Sequence, residues 1–198
     1  KRFCDQAWLD ESREYVFIID EINRGNLSKI LGELMMLIEH DKRGYEHDVT
    51  LTYSDGQLFS VPPNLRIIGM MNTADRSLAL VDYALRRRFN FLEITPGFAS
   101  PKFTAHLLAR NIHPDRAKVI VTAMTKLNET IVAAQELGEG FKVGHSYFCG
   151  GTKVADQRRW LDDIIDLEIG PLLKEYWFDN AKKYEEVLLQ FRKDLADF

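Results

Sequence analysis

The residues best equipped for chemistry stand at the end of an apolar run. Tyr15-Val16-Phe17-Ile18-Ile19 passes directly into Asp20-Glu21. Two carboxylates at the end of such a strand lie at the carboxyl edge of a sheet, where open α/β folds bind their ligands. One can hold a metal-bound water while its neighbour orients or deprotonates an attacking water, the two tasks that phosphoryl transfer requires. By itself the pattern fits two solvated carboxylates equally well. A second apolar run, Leu65 to Met71, ends in Asn72, whose amide can reach a water or a terminal phosphate oxygen from the adjacent strand. Asparagine is also an ordinary turn former. Farther on, Arg86-Arg87-Arg88 closes a helical pattern. Three cations there complement the helix dipole, or they supply a guanidinium to a transferred phosphoryl group.

The surrounding pattern has to place these groups. The run Tyr15 to Ile19 reads as a strand buried on both faces. Leu27, Ile30, Leu31, Leu34 and Ile38 form one helical stripe, with Asn26 as N-cap. Val49, Leu51 and Tyr53 alternate with threonines, and Ser54-Asp55-Gly56-Gln57 supplies a turn before Leu58, Phe59 and Val61, which predicts a hairpin. Ser77 to Arg87 reads as a short helix, and Phe89, Phe91 and Ile94 begin a third strand. Beyond Pro96-Gly97 strand signals stop. Ser100-Pro101 is an N-cap with proline at the first helical position. Val119 to Leu137 is a long helix closed by Gly138, Gly140 to Gly151 is irregular, and helical pattern resumes at Trp160, pauses at Gly170-Pro171 and returns from Tyr184. The fold class expected is α/β followed by all-α, in domains 1–96 and 97–198.

Composition sets the outer bounds. The 198 residues are 45% hydrophobic and 28% charged with a net charge of −4, the profile of a globular protein and a weak argument against a main nucleic-acid surface. Cys4 and Cys149 have no CxxC spacing, so neither zinc nor a disulfide framework is indicated; a reducing cytoplasm fits. His40, His47, His106 and His113 show no metal spacing. No apolar stretch approaches the roughly 20 residues of a membrane span. The chain opens on Lys1 rather than Met and almost at once shows a strand signal, which reads as a piece of a longer protein.

Asp20-Glu21-Ile22-Asn23-Arg24 resembles the Walker B segment of AAA+ proteins related to dynein and the MoxR group. Met71-Asn72-Thr73-Ala74-Asp75-Arg76-Ser77, followed by Val81-Asp82-Tyr83-Ala84-Leu85-Arg86-Arg87-Arg88-Phe89, resembles the McrB branch of these proteins, the GTPases of modified-cytosine restriction systems. The likeness runs from Tyr15 to Tyr147. It implies the C-terminal part of an AAA+ core followed by a helical lid. Asp20 would then hold Mg²⁺ through water, Glu21 would be the catalytic glutamate and Asn72 sensor 1. The hairpin would be the insertion before sensor 1, and Arg87 and Arg88 lead the candidates for a finger reaching the next subunit.

Asn23, Asp75, Arg76 and His145 are further candidate nucleotide contacts by the same resemblance. Asn72-Thr73-Ala74-Asp75 also has the spacing of a guanine-recognition motif, with Thr73 where lysine is expected; the strand-end position favours sensor 1. Arg76 would touch a phosphate or partner, or form a surface ion pair. His145 and Lys142 lie where a lid presents sensor 2, although the usual arginine is missing and a structural histidine fits as well. The phosphate-cradling G-x-x-x-x-G-K-[ST] loop is absent from these residues and would precede Lys1. The resemblance further implies GTP (or ATP) with Mg²⁺, a homo-oligomeric ring of six subunits (a hexamer), a McrC-type nuclease partner, and methylated DNA read by an N-terminal domain outside this chain. The rival readings are a MoxR- or dynein-like ATPase that remodels proteins and a non-catalytic scaffold.

Overall fold

The computed structural model describes residues 1–52, 56–72, 74, 83–151 and 153–198. It divides into two compact units, Lys1–Leu92 and Glu93–Phe198.

In the first unit, helix α1 (Arg2–Leu9) precedes strand β1 (Tyr15–Ile19). The helix was not legible in advance. Its buried residues are the small Cys4 and Ala7, while Leu9 is 87% exposed, so it carries little helical stripe. Its C-terminal end is held from afar, since the Asn64 amide donates to the carbonyls of Ala7 and Asp10 at 3.0 and 3.1 Å. Burial raises the pKa of the Cys4 thiol, which disfavours the reactive thiolate.

Helix α2 (Leu27–Leu31) is capped as expected, with Asn26 accepting from the Lys29 N–H. The predicted stripe does not continue as one α-helix. Gly32 adopts φ +50, and a 3₁₀ segment carries the chain through Ile38. Strands β2 (Val49–Thr50) and β3 (Leu58–Phe59) pair antiparallel as the predicted hairpin, whose tip at residues 53–55 lies outside the described residues. The Glu33 carboxylate accepts from both the N–H and the hydroxyl of Thr52. These bonds hold its pKa below the ordinary value and tie the hairpin to the segment after α2.

Strand β4 (Leu65–Gly69) runs parallel to β1, in register from Tyr15 opposite Leu65 to Ile19 opposite Gly69. The expectation of burial on both faces fails here: Val16, Phe17 and Ile18 are 47%, 45% and 56% exposed. Among the described residues this sheet has two strands, too narrow for layers on both faces to cover it. The third strand is also corrected. After helix α3 (Tyr83–Arg86), residues 90–97 carry no strand pairing, and Phe91 and Ile94 are 53% and 86% exposed. A strand propensity becomes a strand where an edge offers ladder partners. The start of the predicted helix, residues 77–82, lies outside the described residues.

The second unit is helical. Ser100 caps α4 (Pro101–Ala109) with proline at its start, as predicted. Helix α5 (Pro114–Ala133) begins earlier than expected, with Pro114 at its first position, and ends earlier too. Gly138 is therefore not its cap; it sits at φ 114, ψ −168, beyond a turn that brings Glu136 to the Trp177 indole N–H at 2.8 Å. The buried stripe Ile120, Met124, Leu127 and Ile131 faces α8 (Ala181–Asp194), which buries Val187 and Phe191. Each fully buried aliphatic side chain of this kind contributes about 1.5–3 kcal/mol.

Between them, α6 (Gln157–Ile164) passes through a π turn at Ile165–Ile169 into α7 (Gly170–Tyr176). The pause expected at Gly170-Pro171 is thus a widening rather than a break. A Cβ on Gly170 would lie 2.8 Å from the Ile165 carbonyl oxygen, so the wide turn demands glycine there.

The irregular stretch after α5 is pinned by Asn128, which is 6% exposed. Its amide donates to the Val143 carbonyl at 3.0 Å and its oxygen accepts the Val143 N–H at 2.7 Å. Asn128→Ala strips both partners from a buried peptide group and is expected to destabilise this unit by about 2–3 kcal/mol. Urea unfolding should show a lower midpoint at unchanged slope.

Candidate functional site

The parallel pair brings the two predicted strand ends side by side. Met70 N–H donates to the Ile19 carbonyl at 2.8 Å, continuing the ladder one step past β4. In a regular parallel ladder the next bond to the Met70 carbonyl would come from Glu21. It comes instead from Ile22 N–H, at 2.9 Å. Glu21 is the extra residue, held at φ 51, ψ 44 in the left-handed region, and its N–H is taken by Asp20 Oδ1 at 2.9 Å. A non-glycine residue in this conformation costs on the order of 1–3 kcal/mol, and such strain gathers at functional sites.

The slip aims the carboxylates. Asp20 is exposed and uses one oxygen on the Glu21 N–H. Glu21 Oε2 is buried and stands 3.3 Å from Arg24 Nε. The Asn23 amide reaches the Asn72 carbonyl at 3.4 Å, tying the two strand ends together beyond the ladder. Asn23 Oδ1 is buried with no hydrogen-bond partner among the described residues. Asn72 Oδ1 accepts the Ala74 N–H at 3.0 Å, the turn role foreseen for it, while its amide nitrogen is the group suited to donate to a phosphate or water. Asp20, Glu21, Asn23 and Asn72 are therefore brought together, whereas Asp75 and Arg76 lie outside the described residues.

The arginines separate by environment. Arg88 Nε is 2.7 Å from Glu39 Oε1, and both side chains are partly buried. Arg86 and Arg87 are exposed. Leu85, one step before them, packs with Leu27, Met35 and Ile38, and Ile22 lies against the same cluster, so the helix end is coupled by contact to the turn carrying Glu21.

In the second unit, His145 has partners of its own. Its Nδ1 accepts the Gly97 N–H at 3.0 Å, and its ring meets Phe98 and Phe103 edge-on. With Nδ1 engaged by that backbone N–H, any nucleotide contact of the ring would come from Nε2. Lys142 is paired with Glu139.

Sequence reading passed over Gly69, Glu39 and Asn128. A glycine within a strand pattern signals close approach of another group and marked Gly69 in principle. Glu39 and Asn128 carry no local signal, because their partners are remote.

A parallel strand pair with Asp-Glu and Asn just beyond its carboxyl ends, followed in the chain by an all-helical unit, is the arrangement of an AAA+ core and its lid. The dynein-related AAA domain model matches residues 2–89, and the alpha-helical lid domain model of McrB matches residues 119–185. The chain is 51% identical over 189 residues to the type IV methyl-directed restriction enzyme EcoKMcrB subunit of Escherichia coli K12, a match covering 93% of this chain and 41% of that protein. It is also 29% identical over 98 residues to the type II restriction enzyme BsuMI component YdiS of Bacillus subtilis 168, covering 43% of this chain and 28% of that one. The chain belongs to the McrB-type AAA+ proteins, and it spans less than half the length of either relative. Among the described residues no helix is long and apolar enough to cross a membrane.

Proposed function

We propose that this chain supplies the Walker B, sensor 1, arginine-finger and lid parts of a GTP-hydrolysing restriction motor. In this reading the complete protein forms a ring, hydrolyses GTP with Mg²⁺ at its subunit interfaces, and drives a McrC-type nuclease, in the cytoplasm. Methylated DNA is read by an N-terminal domain outside these residues. The observation that carries the proposal is the juxtaposition of Asp20, Glu21 and Asn23 with Asn72 at the ends of two parallel strands. The 51% identity to a methyl-directed restriction subunit favours this setting over protein remodelling.

The residues fit a Mg²⁺–nucleotide pair rather than a metal cage. Among the described residues no group of three or more His, Cys, Asp or Glu could hold a metal. Mg²⁺ commonly keeps several waters and binds through one or two carboxylates plus phosphates, which suits an exposed Asp20 with an oxygen to spare. When bound, the ion would neutralise phosphate charge. Glu21 would accept a proton from the attacking water, Asn23 Oδ1 would hold that water's other hydrogen, and the Asn72 amide would steady a terminal phosphate oxygen.

Phosphate release from GTP and from ATP, measured on the complete protein with its nuclease partner, with and without Mg²⁺, tests the reading. Mg²⁺-dependent GTP turnover is expected. Turnover of ATP alone would shift the assignment to the remodelling ATPases, and turnover of neither would favour a scaffold.

A further inference from the structure

The one-residue slip at Glu21 needs something to hold it, because left-handed backbone at a glutamate is unfavourable by itself. The bond from Ile22 N–H to the Met70 carbonyl is one restraint. The side chain of Ile22 supplies a second. It folds over Gly69, the last residue of β4, so closely that a Cβ there would lie 2.5 Å from Ile22 Cδ1, 3.3 Å from its Cγ2 and 3.5 Å from its Cβ. Rotation about χ2 would move Cδ1 and leave Cγ2 in place, and Cγ2 moves only with χ1, at which isoleucine is stiff. Cδ1 has little room to swing, as Ile22 is packed against the cluster of Leu27, Met35, Ile38 and Leu85.

We propose that Gly69 and Ile22 are positioning residues that act as a pair: the bare face of Gly69 receives Ile22 and so locks the slipped turn that presents the Glu21 carboxylate. A side chain at position 69 pushes Ile22 outward, and Glu21, one bond away in the chain, moves with it. The inference rests on the catalytic reading of Glu21 and adds to it the element that sets the carboxylate's aim. The lock lies on the sheet side of the turn and touches neither nucleotide nor metal in that reading, so its loss acts on the chemical step and not on binding.

The test uses the complete protein with its nuclease partner, under Mg²⁺ and GTP, and compares Gly69→Ala, Gly69→Ala/Ile22→Val, Ile22→Ala and Glu21→Gln. A displacement of the general base by a fraction of an ångström to an ångström is expected to lower kcat of Gly69→Ala by about 10- to 100-fold, with KM and nucleotide affinity within about threefold of the parent. Ile22→Val removes the Cδ1 atom that collides, so the double variant should recover kcat to within about threefold of the parent. A merely structural defect would not show this split or this rescue. Parental kcat in Gly69→Ala, or a loss that Ile22→Val leaves untouched, overturns the proposal. Should Gly69→Ala fail to fold, Ile22→Ala decides: a loss of kcat at steady KM supports the lock, and an unchanged kcat overturns it. Glu21→Gln separates the two levels. If it turns over normally, the catalytic reading itself falls; if it is inactive while Gly69→Ala is normal, only the positioning inference falls.

Discussion

Glu21→Gln in the complete protein is expected to lower nucleotide turnover by about 10²- to 10⁴-fold, the range general-base catalysis supplies, while nucleotide binding and ring assembly persist. The substitution keeps shape and size, and glutamine accepts the left-handed backbone at position 21 no worse than glutamate does. What it loses is the capacity to take a proton. The ion pair with Arg24 is also lost, but Arg24 is 61% exposed on its side chain, and pairs of that kind contribute little to stability. Asp20→Asn makes a useful contrast. An asparagine oxygen can still accept the Glu21 N–H, so the turn is kept, while the charge offered to Mg²⁺ is gone; the defect should ease as Mg²⁺ is raised. Single-turnover phosphate release beside a nucleotide-binding titration reads both effects. Near-parental turnover in Glu21→Gln would withdraw its catalytic role.

Arg87→Ala is expected to cost turnover by roughly 10³-fold, as removal of an arginine finger does elsewhere, without changing the nucleotide affinity of a single subunit. Arg87 is preferred to Arg88 on geometry: Arg88 is drawn to Glu39 at 2.7 Å inside its own unit, and Arg87 is exposed at the end of α3. A mixing experiment reads the trans action. Rings are assembled from Arg87→Ala subunits and Glu21→Gln subunits, each inactive alone. Some interfaces then join an intact Glu21 to an intact Arg87, and activity should partly return. Mixed rings that form but stay as inactive as either parent would place the arginine within its own subunit's structure. Arg88→Ala should lower thermal stability through the lost Glu39 pair and should show no complementation.

The elements that could be read in advance are those whose cause is local. A continuous β-branched and aromatic run made Tyr15–Ile19 a strand, and Asn26 and Ser100 cap helices through their own side chains. The errors fall where a distant partner decides. Phe91 and Ile94 have strand propensity, yet residues 90–97 pair with no strand among the described residues. Gly170 and Pro171 would break an isolated helix, yet the chain widens into a π turn and continues, because Ile165, Ile169 and Leu173 remain buried on both sides of it.

The candidate site divides in the same way. The types and order of its groups, Asp-Glu closing one apolar run, Asn closing another and arginines closing a helix, are properties of the sequence, since they follow from which residues end which hydrophobic segments. Their mutual geometry belongs to the tertiary structure. That Ile22 rather than Glu21 bonds to Met70, that Asn23 reaches Asn72, that Arg88 and not Arg87 is held by Glu39, and that His145 is engaged by Gly97 all depend on contacts between residues far apart in the chain. Ladder register and ion pairing are set by which strands and helices come to lie together, and side-chain periodicity within one segment carries no information about that partner.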